Sequence, residues 1–164
     1  MTIFAIDPGP TQTAWIEFHL RGTPPDNIKI IDMGIDLNDA FFHKLRSYVK
    51  RSWADDPPSV VIEMIANMGM PAGKSLFETC VTIGRVVEIV ASEGWETCRM
   101  FRSAIKLAIC GDSRAKDGNV RQALIDRFGE TGTKKNQGDL YGVKTHLWQA
   151  LAAGVAWHEI NERA

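Results

Sequence analysis

Val60, Val61 and Ile62 form an unbroken run of branched apolar side chains that ends in Glu63. A run with no polar residue at alternate positions suits a strand covered on both faces, at the centre of a sheet with helices above and below. Covering both faces takes a chain long enough for three layers. The 164 residues, 45% hydrophobic and 24% charged, supply one globular domain with a sizeable core, read as a single domain over residues 1–164.

The flanking sequence provides the layers. Thr2–Asp7 (TIFAID) is a second short apolar run, ending in Asp7-Pro8-Gly9, and Thr13–Leu20 is rich in aromatic and branched residues, so the opening reads as a β-hairpin. After the turn cluster Gly22–Asp26, Ile28–Ile35 reads as a third strand. Phe41, Phe42, Leu45, Tyr48 and Val49 give Asp39–Trp53 a helical spacing, which Ala54–Pro58 ends. Ser75–Glu93 reads as a long helix with Phe77, Cys80, Ile83, Val87 and Val90 on its core face. A strand over Glu96–Phe101, helices over Ser103–Cys110 and Asn119–Phe128, and an amphipathic helix over 143–160 complete the chain. The order predicts a three-layer α/β fold with a mixed central sheet flanked by helices.

Composition removes several function classes. Cys80, Cys98 and Cys110 are odd in number and widely spaced, which speaks against a disulfide framework or a C-x-x-C site and for reduced, mostly buried thiols. Apolar stretches fall short of the roughly 18 residues of a membrane span and the N-terminus lacks a leader pattern, so the chain is read as soluble and cytoplasmic, with no membrane partner. The formal net charge of −1 hides segregation. Residues 1–98 carry 8 basic and 13 acidic side chains, whereas 99–144 carry 10 basic and 5 acidic. A basic strip beside an acidic remainder can seat a polyanion, and a solvated face of mixed charge has the same composition.

Asp7 and Glu63 each end a predicted strand, so both can project from one edge of one sheet. Two such carboxylates and a third group from a packed helix can hold Mg²⁺ or Mn²⁺ while leaving positions for water and phosphate, which suits phosphodiester hydrolysis. In a two-metal site a carboxylate bridges the ions, and Asp7 is the candidate. Taken singly, Asp7 reads equally well as a turn cap and Glu63 as a solvated strand end.

The segments IDPGPTQTAW, VVIEMIA, SAIKLAICGDSRAKDGNVRQALIDRFG and GVKTHLWQALAAGVAW, in order from residue 3 to residue 157, resemble the RuvC family of Holliday-junction resolvases, especially its phage-encoded branch. The resemblance implies a ribonuclease H-like fold, a homodimer, and cleavage of four-way or related branched DNA. It places the catalytic, metal-binding acids at Asp7 and Glu63, and the two ligands of the last helix at His146 and Gln149, around two ions per site. Gln149 departs from the family, which has an acid there. Its neutral amide oxygen is a weaker ligand for a hard cation, which lowers metal affinity or activity unless another acid, such as Asp139 or Glu78, substitutes. Phosphate-contacting lysines fall at Lys106 and Lys116, inside the basic segment, with Lys106 near enough to the metals to serve catalysis. Lys74 and Arg114 join them as DNA-binding residues, and Arg102 and Arg121 extend the same surface. The family's wedge position falls at Ala66, beside Met64, Met68 and Met70, and its dimer contact falls on the helix bearing Phe77, Val81, Gly84 and Val87. His19, His43 and His158 are read as structural.

Two other classes compete. A branched-DNA-binding protein with little or no nuclease activity is motivated by Gln149. A phosphate-cradling ATPase of the actin type is motivated by Asp7-Pro8-Gly9, but it needs a second domain for which this chain is too short.

Overall fold

Five strands and five helices follow one another as β1 (Thr2–Pro8), β2 (Gln12–Leu20), β3 (Ile28–Leu37), α1 (Asn38–Val49), β4 (Ser59–Met64), α2 (Lys74–Ala91), β5 (Thr97–Phe101), α3 (Arg102–Cys110), α4 (Asp117–Phe128) and α5 (Leu147–Glu162). The structure is a computed structural model, and it describes residues 1–21, 28–51, 57–66, 69 and 71–162. The sheet order is β3-β2-β1-β4-β5, with β1–β2 and β2–β3 antiparallel and β1–β4 and β4–β5 parallel. The mixed sheet matches the expectation, and β1 and β4 are its interior strands beside β2.

Alternation along the strands divides the core. Phe4, Ile6, Trp15, Val60 and Ile62 face α1 and α2, where they meet Phe41, Phe42, Leu45, Ile83, Val86 and Val90. Ile3, Ala5, Ala14, Ile16, Phe18 and Val61 face the opposite way, against Ile105 and Ile109 of α3, Val120 and Leu124 of α4, and the buried stretch of α5. Burial of both faces explains why VVI carries no polar alternation.

Three expectations need correction. The core face of α2 consists of Thr79, Thr82, Ile83, Val86, Ile89 and Val90, whereas Phe77 is 60% exposed and Cys80 is exposed. Threonines can face the sheet because each hydroxyl donates back along the helix, Thr79 Oγ1 to Ser75 O at 2.9 Å and Thr82 Oγ1 to Glu78 O at 3.1 Å. The cysteines are free but not mostly buried: Cys80 is exposed, and Cys98 and Cys110 are half-buried. The last helix is not amphipathic. Leu147, Trp148 and every residue from Ala150 to Ala156 are buried, and the helix begins at Leu147 rather than at 143. Small residues allow this: a Cβ on Gly154 would meet Phe18 Cζ at 2.7 Å and Ala5 Cβ at 3.0 Å, so α5 lies directly on the sheet. Trp53, Met68 and Met70 lie outside the described residues.

Candidate active site

The register of β1 and β4 builds the site. Ile6 pairs with Ile62 across the parallel ladder, so the next residues, Asp7 and Glu63, leave the sheet side by side. Because Ile6 and Ile62 point toward α1 and α2, period-two alternation turns Asp7 and Glu63 toward the layer of α3, α4 and α5. The turn after Asp7 is held from the other side. Asn38 Nδ2 donates to Gly9 O at 3.1 Å and to Thr82 Oγ1 at 3.0 Å, while Asn38 Oδ1 accepts from Thr13 Oγ1 at 2.8 Å. Gly9 itself is required, since a Cβ there would lie 2.5 Å from Gln12 O.

Both carboxylates are largely withdrawn from solvent, with side chains 15% (Asp7) and 6% (Glu63) exposed. Burial raises Asp7 above the usual carboxylate range, against the opposing pull of His146. Burial, with the Asp7 charge second, pushes Glu63 up to about 7 despite Arg102 beside it. Two adjacent acids that resist simultaneous ionisation make a place where a cation is favoured. Asp7 and Glu63 share a cleft of about 390 Å³ with Thr11, Thr79, Arg102 and His146. Glu63 and Arg102 also line a groove of about 250 Å³ with Met64, Ile65, Ala66, Ser103, Lys106 and Ser113.

The expected last-helix ligands separate. His146 precedes α5, with Nδ1 3.1 Å from Asp7 Oδ2 and its carbonyl accepting from the N–H groups of Gln149 and Ala150 at 3.1 and 3.2 Å. Thr145 just before it adopts a left-handed φ of 44°, the sharp turn that brings His146 over Asp7. Gln149 instead lines a hollow of about 10 Å³ with Glu63, Arg102, Lys106 and Asp117, space for about one water-sized ligand. Its Oε1 is buried and has no hydrogen-bond partner among the described residues.

Arg102, placed by sequence in the outer DNA strip, stands at the centre instead. Its Nη1 lies 3.4 Å from Glu63 Oε1 and its Nη2 donates to Asp117 Oδ2 at 2.6 Å, while Lys106 Nζ lies 3.2 Å from Asp117 Oδ1. Burial acts upward on Asp117, but hydrogen bonds from Arg102 and Lys106 hold it below the usual carboxylate range. Asp117 was missed by the sequence reading. At the first position of α4 it looks like an acid favoured by the helix dipole, and only the packing of α4 beside α3 reveals its second role. Asp139 and Glu78, the expected substitutes, are exposed and line none of these hollows. Lys74, Arg114 and Lys116 are also exposed and outside them, whereas Lys106 lines two.

Among the described residues, no three His, Cys, Asp or Glu side chains cluster closely enough to hold a metal by themselves. The donor set nonetheless fits a hard cation that keeps water or phosphate ligands: the buried Glu63 and half-buried Asp7 carboxylates, the Gln149 amide oxygen, unpartnered among the described residues, and an imidazole at the cleft mouth. Also among the described residues, no helix is long and apolar enough to cross a membrane.

No protein-family model and no curated protein matches the sequence. Solved structures do match. The Thermus thermophilus RuvC structure superposes with a TM-score of 0.74 at 14% identity, covering 99% of this chain and 96% of that one. T. thermophilus RuvC in complex with a Holliday-junction substrate superposes with a TM-score of 0.72 at 14% identity and the same coverage. The five-stranded mixed sheet and its helices thus have the fold of RuvC, a ribonuclease H-like α/β architecture.

Proposed function

We propose that the chain, as one domain over residues 1–164, is a metal-dependent, structure-selective endonuclease, a crossover junction endodeoxyribonuclease that hydrolyses paired phosphodiester bonds in four-way or related branched DNA. The observation that carries this reading is the Asp7–Glu63 pair: two neighbouring acids, one half-buried and one buried, each raised in pKa, at the open end of a RuvC-like sheet. The neighbour whose complex contains a Holliday junction supports branched DNA as the partner.

Asp7 and Glu63 would hold Mg²⁺ or Mn²⁺, with His146 and the Gln149 amide oxygen as neutral donors. The bound cation would supply Lewis-acid activation of water and charge neutralisation at the scissile phosphate. His146 orients the Asp7 carboxylate through its 3.1 Å hydrogen bond, and Lys106 at the rim of the groove presents an ammonium to phosphate oxygens. Lys74, Arg114 and Lys116 would hold the DNA arms farther out. The exposed Phe77 and Val81 of α2, each 60% exposed, support a homodimer. Two sites related by a two-fold axis suit paired nicks.

The test is cleavage of a labelled four-way junction and a matched linear duplex with Mg²⁺, Mn²⁺ or chelator, for wild type, Asp7→Asn and Gln149→Asp. Paired nicks confined to the junction and lost with chelator or in Asp7→Asn are expected. Gln149, a neutral group where the family has an acid, favours a second reading as a branched-DNA-binding protein with weak cleavage. Tight junction binding without cleavage in either metal would establish that reading instead.

A further inference from the structure

Charge is the unusual quantity at this centre. Asp7 and Glu63 offer two carboxylates to a cation, the third carboxylate, Asp117, is already paired with Arg102 and Lys106, and His146 and Gln149 offer neutral donors. Into this sparse field the chain inserts a permanent cation, with Arg102 Nη1 3.4 Å from Glu63 Oε1. We propose that Arg102 is itself one of the two positive centres of the reaction, so that each chain binds one divalent ion rather than the two implied by family resemblance, and that Asp117 is the positioning residue that holds Arg102 there. The inference rests on the nuclease reading above.

Three observations support it. The placement of Arg102 is built from rigid parts: it is the first residue of α3, immediately after β5, and Met64↔Phe101 pairing sets the end of β5 beside the end of β4, one residue beyond Glu63. Its anchor is independent of Glu63, because Asp117 Oδ2 accepts from Nη2 at 2.6 Å, and Lys106 fixes the other oxygen of Asp117 at 3.2 Å. Arg102 also reaches the whole site, for it and Glu63 line the cleft at Asp7, the groove beside Ala66 and the hollow at Gln149. With its side chain 47% exposed, the guanidinium keeps an open face and unused N–H donors for phosphate oxygens. A second divalent ion would be repelled by this guanidinium, with Asp7 and Glu63 left to offset the charge of both ions.

Manganese uptake by the metal-free protein, followed by the loss of the free Mn²⁺ electron paramagnetic resonance signal, reads the stoichiometry directly. One Mn²⁺ per wild-type chain is expected, abolished in Asp7→Asn, and the double variant Arg102→Gln with Gln149→Asp should take up two. In single-turnover junction cleavage at saturating protein, Arg102→Gln should be slower by about 100-fold, Arg102→Lys should recover part of the rate, and Asp117→Asn should fall between wild type and Arg102→Gln. Two Mn²⁺ bound per wild-type chain overturn the inference without needing any variant to fold, as does wild-type cleavage by Arg102→Gln. A wild type that cuts junctions with two bound ions leaves the nuclease reading standing, whereas a wild type that neither cuts junctions nor binds Mn²⁺ through Asp7 overturns both.

Discussion

Glu63 is held at the expense of stability. Its folded pKa of about 7 lies above the ordinary carboxylate value of 4.5, so the folded state binds the proton more tightly than the unfolded one. The stability this contributes is complete below the unfolded pKa and disappears as pH rises from there through about 7. The metal-free protein should therefore melt at a lower temperature at pH 8 than at pH 5, by a penalty on the order of 3 kcal/mol. Glu63→Gln should abolish cleavage yet raise the melting temperature at pH 8, and Mg²⁺ should stabilise wild type more at pH 8 than at pH 5; thermal melts with chelator or Mg²⁺ measure all three. Sequence made Asp7 and Glu63 legible because each is a carboxylate ending an apolar strand. Arg102 and Asp117 were not legible as site residues, because an arginine and an acid at helix starts look like ordinary surface charges until α3 and α4 pack together. Asn38 was equally hidden: its three side-chain hydrogen bonds join the β1–β2 turn to α2 across distances that no local pattern encodes.

Among the elements, α5 sets the tolerance of the site. Gly154→Ala adds a Cβ within 3.0 Å of both Phe18 and Ala5, so the helix must lift from the sheet and carry Gln149 and His146 away from the acids. A loss of about 1–3 kcal/mol in urea melts is expected, with junction cleavage falling more than junction binding. The near-uniform burial of α5 was the hardest feature to anticipate, since alanines and a glycine leave no polar face to announce an orientation, and the start of the helix depends on the left-handed turn at Thr145. Helix α2 misled in the opposite sense. Its largest apolar side chain, Phe77, points outward while two threonines face the core with satisfied hydroxyls. That outward strip makes a prediction: Phe77→Asp with Val81→Lys should convert a dimer to a monomer by light scattering while leaving the far-ultraviolet circular dichroism unchanged.

Across the whole molecule, the basic side chains of the centre and its surroundings divide by place. Arg102 and Lys106 are tied into the centre by Asp117, whereas Lys74, Arg114 and Lys116 stand exposed outside it. Neutralising Lys74, Arg114 and Lys116 to Ala should weaken junction binding equally for all sequences. Each lost phosphate contact should reduce the slope of log affinity against log salt by about 0.9, which fluorescence anisotropy at several salt concentrations measures. The three-layer order was readable from strand and helix patterns alone because continuous apolar runs and helical spacings survive without tertiary context. The division of charge was not, since composition records how many cations a segment holds and not which of them face an acid.

The strand order also governs when the centre comes into being. The β1–β2 and β2–β3 pairings join neighbours in sequence, but Asp7 meets Glu63 only through a parallel pairing that spans β2, β3 and α1, and α5, which covers both strands, is the last element of the chain. Local hairpins close early and such long-range pairings late. During synthesis a ribosome-bound fragment therefore displays Asp7 without Glu63, then both without the helix that seals them. Fragments lacking α5 leave Ile3, Ala5, Ile16, Phe18 and Val61 uncovered, and these are expected to aggregate rather than cut DNA.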